Sequence, residues 1–209
     1  RGLAASRITV LDALLKLRQV CCDPALVKME VARQVTESAK RTRLREQLTE
    51  LVAENRRVLV FSQFVEMLRL IEQDLEKAGI GSLSLTGETR DRAGVLEAFS
   101  RGDAPVFLLS LKAGGVGLTL TEADTVILYD PWWNPAVERQ AMDRAHRIGQ
   151  TKPVFVHRLV AAGTVEQKIL DLQARKQALA DALFDPEAKH ADGLLDEATL
   201  RDLFAPLSH

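Results

Sequence analysis

Apolar positions set the first pattern. In residues 6–21, SRITVLDALLKLRQVC, Ile8, Leu11, Leu14, Leu15 and Leu17 recur at helical spacing behind Ser6, a residue type that caps helix starts. Asp23-Pro24 ends that helix, because a residue preceding proline is pushed out of the helical region. Residues 38–55, SAKRTRLREQLTELVAEN, predict a second amphipathic helix with a strongly charged outer face. Then the period changes. RVLVF (57–61), SLSL (82–85), VFLL (106–109), TVILYD (125–130) and VFVHRL (154–159) are short apolar runs rich in Val, Ile and Leu. Helical patterns lie between them at 63–78, 91–101 and 135–147. Strands alternating with helices at this spacing predict a three-layer α/β domain whose parallel sheet is covered on both faces. Buried strands of this kind should lack strict alternation, and these largely do.

The tail continues in helix. Residues 164–184, TVEQKILDLQARKQALADALF, read as one long helix with a Thr164 cap and Glu166 in its first turn. A loop at 185–195 precedes a short final helix at 196–204, capped by Asp196.

Composition narrows the options without choosing among them. The chain has 209 residues, 46% hydrophobic and 27% charged, values ordinary for a globular domain. Its net charge is −1, from 28 basic and 29 acidic side chains, so any nucleic-acid site must be a local patch. Cys21 and Cys22 are adjacent and form no C-x-x-C zinc spacing, and His146, His157, His190 and His209 are scattered. A metal site is not expected, and the cysteine usage suits a reducing cytosol. No apolar run approaches membrane-spanning length, so no membrane role is expected. Residue 1 is Arg, and the first helical pattern is already under way, which suggests a piece of something longer.

In open α/β sheets, ligands bind at the carboxyl ends of the strands. After VFLL comes SLKAGGVGLTL (110–120), where Ser110, Lys112, Gly114, Gly115 and Gly117 follow a buried strand at once. Glycines let backbone N–H groups approach an oxyanion, and a lysine adds charge, so the turn suits a phosphate. A tight strand-to-helix turn would use glycine equally well. No G-K-[ST] occurs anywhere, so there is no Walker A loop and no expectation that this chain alone splits ATP. VILYD, ending in Asp130, has the look of a Walker B strand; LLDE (194–197) reads better as a helix cap than as a DExx box. In DPWWNP (130–135), Asn134 can cap the next helix and Pro135 suits its first turn. Trp132 and Trp133 either pack into the core beneath that loop or contact DNA by stacking or wedging. The following helix carries Arg139, Arg144, His146 and Arg147. Arg144 and Arg147 share one face, and both readings stand: last-turn cations favoured by the helix dipole, or bidentate phosphate contacts.

SLKAGGVGLTLTEADTVILYDPWWNP followed by QAMDRAHRIGQ resembles motifs V and VI of the Swi/Snf-type DNA-dependent ATPases of helicase superfamily two. VLVFSQFVEML (58–68) resembles motif IV, and LTGETRDR (85–92) the block after it, with Phe99 at the family's phenylalanine. LLKLRQVCCDP (14–24) resembles the segment leading into the second lobe, although family members often have His where Asp23 stands. TKPVFVHRLVAAGTVEQKIL (151–170) matches the downstream strand and helix, so the likeness runs over roughly residues 11–176. The block from Gly87 to Arg92 is shorter than in eukaryotic members. That favours a bacterial origin, as does the Ala/Leu/Arg-rich composition.

The resemblance implies a RecA-like (P-loop NTPase-type) C-terminal lobe of a two-lobed motor, with a helical C-terminal extension. It implies a helical lead-in at 1–35, the lobe at 36–163 and a helical brace at 164–209. ATP with Mg²⁺ would be bound mainly by an N-terminal RecA-like lobe of the same polypeptide, and this fragment would be inactive alone. By the same resemblance Arg144 and Arg147 act as arginine fingers on the γ-phosphate, and Gln140, Gly115 and Gly117 complete the nucleotide cleft. Thr86, Gly87, Arg92, Ser110, Lys112 and Gly114 would hold phosphates of a tracked DNA strand, and Trp132 or Trp133 would touch the duplex. The implied partners are double-stranded DNA and a DNA-bound protein to be remodelled. The implied location is the bacterial nucleoid, or the nucleus in a eukaryote. Two alternatives remain: a non-catalytic DNA- or partner-binding module derived from a motor lobe, and a strand-separating helicase lobe. A Rossmann-like dinucleotide domain is set aside, because SQF, with no glycine, follows strand 57–61.

Overall fold

Strands apolar on both faces can be covered only if amphipathic helices pack on each side of the sheet they form. That arrangement is present in the structure, a computed structural model that describes residues 2–35, 37–111, 120–143 and 153–183. In chain order the elements are α1 (Gly2–Cys22), a 3-10 turn (Pro24–Leu26), α2 (Glu30–Arg33), α3 (Ala39–Ala53), β1 (Val58–Ser62), α4 (Val65–Lys77) and β2 (Ser82–Leu85). There follow α5 (Arg92–Arg101), β3 (Val106–Ser110), β4 (Thr125–Leu128), α6 (Pro135–Met142), β5 (Phe155–Arg158) and α7 (Val165–Leu183). The five strands pair in the order β2-β3-β1-β4-β5, and every pairing is parallel. The fold is the RecA-like α/β layer structure with a helical C-terminal extension.

Alternation along each strand divides the core into two layers. Val58, Val60, Val106, Leu108 and Ile127 point to one face. They pack against Leu44 and Leu48 of α3 and Met67, Leu68, Ile71 and Leu75 of α4. Leu59, Phe61, Phe107, Leu109, Val126 and Leu128 point to the other face, against Phe99 of α5 together with Leu120 and Ala123. The Phe99 and Phe107 rings lie 4.8 Å apart and tilted. Such a pair contributes roughly 0.5–1.5 kcal/mol beyond its burial. A third, smaller cluster of Leu14, Val165 and Ile169 joins α1 to α7.

Some caps expected from the sequence form. Asn134 Oδ1 accepts from Ala136 N–H and Thr164 Oγ1 from Glu166 N–H, and Ser38 Oγ, a cap the sequence reading did not name, accepts from Arg41 N–H. Ser6 does not cap, because α1 already starts at Gly2. The 3-10 turn and α2 are additions that the periodicity did not reveal. In the first of these, Asp23 accepts from Ala25 N–H at 2.8 Å. Strand 125–130 is shorter than expected: its paired residues end at Leu128, Tyr129 N–H still donates to Phe61 O at 2.9 Å, and Asp130 turns into the loop. Strand β5 lies at the sheet edge with Phe155 and Val156 exposed, so it is not buried on both faces. The expected loop at 185–195 and helix at 196–204 lie outside the described residues.

Candidate functional site

Because all strands are parallel, their carboxyl ends share one edge, and the chain must leave the sheet there without ladder partners. Pairing of Leu85 with Leu109 and of Ser62 with Ser110 sets the order along it. Thr86 and Ser110 therefore leave adjacent strands side by side, and Ser62 stands next to Ser110. Strand β4 lies on the far side of β1, so the tryptophan loop opens at the opposite flank.

The turn after β2 is held by its own side chains. Thr86 N–H donates to Thr89 Oγ1 at 2.9 Å, and Glu88 N–H donates to Thr86 Oγ1 at 3.2 Å. Gly87 is exposed, with open space where a Cβ would stand. Asp91 caps α5 by accepting from Gly94 N–H, which places Arg92 at the first helical position. Glu88 pairs with Arg69 of α4, tying the turn sideways. A threonine, an open glycine and an arginine at a helix start can donate to an anion. Thr86, Gly87, Arg92 and buried Ser110 are brought to one flank of the edge.

The middle of the edge joins Asp130, the end of the Walker B-like strand, to Ser62 and Gln63, which sequence reasoning did not single out. Ser62 Oγ donates to Asp130 Oδ1 at 2.5 Å and accepts from Phe64 N–H, and Gln63 N–H donates to Asp130 as well. Burial pushes the Asp130 carboxyl above its ordinary value, opposed by the Ser62 hydrogen bond and by the charges of Lys40 and Arg18. Gln63 Nε2 is buried there without a hydrogen-bond partner among the described residues. The signal for this cluster was a serine directly after a buried apolar run and an aspartate after another, at neighbouring strand ends.

The loop 130–134 shows where the tryptophans go. Both are half-buried, on different supports. Trp132 packs against the sheet-face cluster of Leu59 and Phe107, and Trp133 against Leu14, Val165 and Ile169. Trp132 N–H donates to Glu138 Oε1 at 2.8 Å, and Trp132 O accepts from Gln173 of α7. Glu138 is buried and also accepts from Gln173 Nε2 at 2.9 Å and from Arg158 Nε at 3.3 Å. The loop is thus pinned to α6, α7 and β5. Lys112, Gly114, Gly115, Gly117, Arg144 and Arg147 lie outside the described residues, as does the side chain of Gln140, whose backbone is in α6. Among the described residues, no group of three or more His, Cys, Asp or Glu side chains is placed to hold a metal ion.

A parallel sheet between helical layers, with a donor-rich edge at its strand ends, has the layering of a RecA-like lobe. The model of the helicase conserved C-terminal domain matches residues 39–149. The chain is 45% identical over 163 residues to the CHROMATIN REMODELING 24 protein of Arabidopsis thaliana, covering 76% of this chain and 15% of that one. Among solved structures, it is 37% identical to the Sulfolobus solfataricus SWI2/SNF2 ATPase core in complex with double-stranded DNA. The TM-score is 0.69, with 86% of this chain and 38% of that one covered. The C-terminal part of the Fun30 ATPase domain matches with a TM-score of 0.65 and 34% identity, over 80% of this chain and 52% of that one. The chain belongs to the helicase conserved C-terminal domain family, in its Swi2/Snf2-type branch. It spans no more than 20% of the length of the curated relatives compared.

Proposed function

We propose that the chain is the C-terminal motor lobe of an ATP-dependent translocase or remodeller acting on double-stranded DNA. The observation that carries this reading is the flank built from Thr86, Gly87, Arg92 and Ser110, in a lobe similar to a DNA-bound SWI2/SNF2 core. Donors aligned along strand ends suit a phosphate backbone and read no sequence. Lys112 and Gly114 extend this grip, and Trp132 and Trp133 present their outer faces to the duplex.

In this reading ATP with Mg²⁺ binds mainly to an upstream lobe, and Gln140, Gly115 and Gly117 line this lobe's share of the cleft. Arg144 and Arg147 neutralise charge that develops on the transferred phosphoryl group. A finger of this kind contributes roughly 10³–10⁵ in kcat. ATP closes the cleft and hydrolysis opens it, so a grip on each lobe steps along the duplex. The fragment without its partner lobe turns over no ATP.

The test is ATP turnover by the whole protein, with and without duplex DNA, for wild type, Arg144→Ala and Arg147→Ala. DNA-stimulated turnover is expected to collapse in both variants while DNA binding persists. Unchanged turnover would make both arginines helix-end cations. Absence of DNA-stimulated turnover in the wild type would leave a non-catalytic binding module.

A further inference from the structure

Arg18 is a cation that the motor reading does not use, and its surroundings are unusual. It lies on α1 with 5% of its surface exposed. Its Nη2 donates to Pro131 O at 2.7 Å, across 113 positions of sequence. Its guanidinium carbon stands 5.6 Å from the Trp133 ring centroid, 5.9 Å from Trp132 and 6.0 Å from Phe64. Its Nε is buried without a hydrogen-bond partner among the described residues. Burying a guanidinium costs several kcal/mol unless its donors and charge are matched. Here a carbonyl, three aromatic rings and the field of Asp130 meet it. A methionine would fill the same space without that cost, so packing alone does not account for an arginine.

What the arginine adds is direction. Its planar head meets both indoles of the loop and a carbonyl between them and Asp130. It therefore fixes where the two rings and the Pro131 peptide stand relative to α1. Gln173 and Glu138 hold the Trp132 peptide by hydrogen bonds, whereas the Arg18 guanidinium stands over the rings themselves.

We infer that Arg18 is a positioning residue for duplex engagement, acting through Trp132 and Trp133. This rests on the reading of the loop as DNA-facing. A residue that presets a contact surface changes the affinity for the ligand and leaves the chemistry at saturation alone.

The experiment measures the duplex concentration giving half-maximal ATPase stimulation, and turnover at saturating duplex, in the whole protein. Arg18→Met is expected to raise the half-maximal concentration about 10-fold and to change saturated turnover less than about twofold. Arg18→Lys keeps the charge but not the planar stack, and is expected to give an intermediate rise. It serves where Arg18→Met fails to fold. Trp132→Ala and Trp133→Ala are made in parallel, and the Arg18→Met/Trp133→Ala double variant is expected to be no worse than its worse single. If the tryptophan variants raise the half-maximal concentration and both Arg18 variants stay within twofold of wild type, the inference is overturned while the DNA-facing loop stands. If neither tryptophan variant changes it, the DNA-facing reading falls and the inference falls with it. Full additivity in the double variant would mean that Arg18 acts elsewhere, and would also overturn it.

Discussion

Lys40 and Glu166 form a buried ion pair whose removal should be costly and whose joint removal should not. Lys40 Nζ donates to both carboxylate oxygens, at 2.8 and 2.9 Å, with the two side chains 8% and 1% exposed. Ala161 N–H donates to Glu166 Oε2 at 2.9 Å, and Cys22 Sγ lies 3.8 Å from Oε1. The pair thus joins the end of α1, the start of α3 and the turn into α7. Lys40→Met strands the carboxylate with a backbone N–H and a weak thiol donor. Breaking a buried pair in this way costs about 3–5 kcal/mol. At roughly 2–4 °C per kcal/mol for a chain of this size, the melting temperature should fall by about 10 °C. In Lys40→Met/Glu166→Gln the amide oxygen can still accept from Ala161 and no charge is stranded, so most of the loss should return. Urea unfolding of the 209-residue chain, with the slope checked for constancy, measures both. A cost below about 1 kcal/mol for Lys40→Met, or a double variant equal to the sum of its singles, would refute the account.

Two further outcomes follow from the candidate edge. Asp130 holds its proton more tightly folded than unfolded, because burial raises its carboxyl. Its contribution is therefore full below the ordinary carboxyl value near 4 and is lost as pH rises through the raised native value. The stability advantage of wild type over Asp130→Asn should accordingly shrink as pH rises above about 4, and a constant or growing advantage in urea titrations would contradict this. A Cβ at Gly94 would lie 2.3 Å from Asp91 Oδ2, the carboxylate that caps α5. Gly94→Ala should displace that cap, cost about 1 kcal/mol and weaken DNA binding through Arg92; an unchanged unfolding midpoint would show that the turn absorbs the methyl group.

The layered fold was legible because it rests on local regularities. RVLVF and VFLL announce buried strands by composition alone, and Asn134 and Thr164 announce helix starts by residue type. The resemblance of DRAHRIGQ supplied the family without any geometry. What stayed hidden was contact between distant positions. Lys40 sits in a helix that reads as charged outward, yet it turns inward to Glu166, 126 positions on. The environment of Trp132 and Trp133 could not be settled from their own loop, because Arg18, Gln173 and Glu138 come from three other helices. Strand ends were likewise set by tertiary contacts: Ser62 stays in the ladder beside Ser110, while Asp130 leaves it to accept from Ser62.

These hidden contacts have a common logic. A chain leaving a parallel sheet loses its ladder partners, and its N–H groups need acceptors. Three buried acids supply them. Asp130 accepts from Gln63 after β1, Glu138 from Trp132 after β4, and Glu166 from Ala161 after β5. Carboxylates in these places stabilise little relative to apolar packing, but they fix each loop to one position through a bond that no neighbouring register can satisfy. They also point inward. Ser62 donates to Asp130, the half-exposed Arg158 pairs with Glu138 and the buried Lys40 pairs with Glu166, so each acid has a partner within the protein. The edge proposed to receive a phosphate backbone can therefore be rigid while its acids stay paired within the protein.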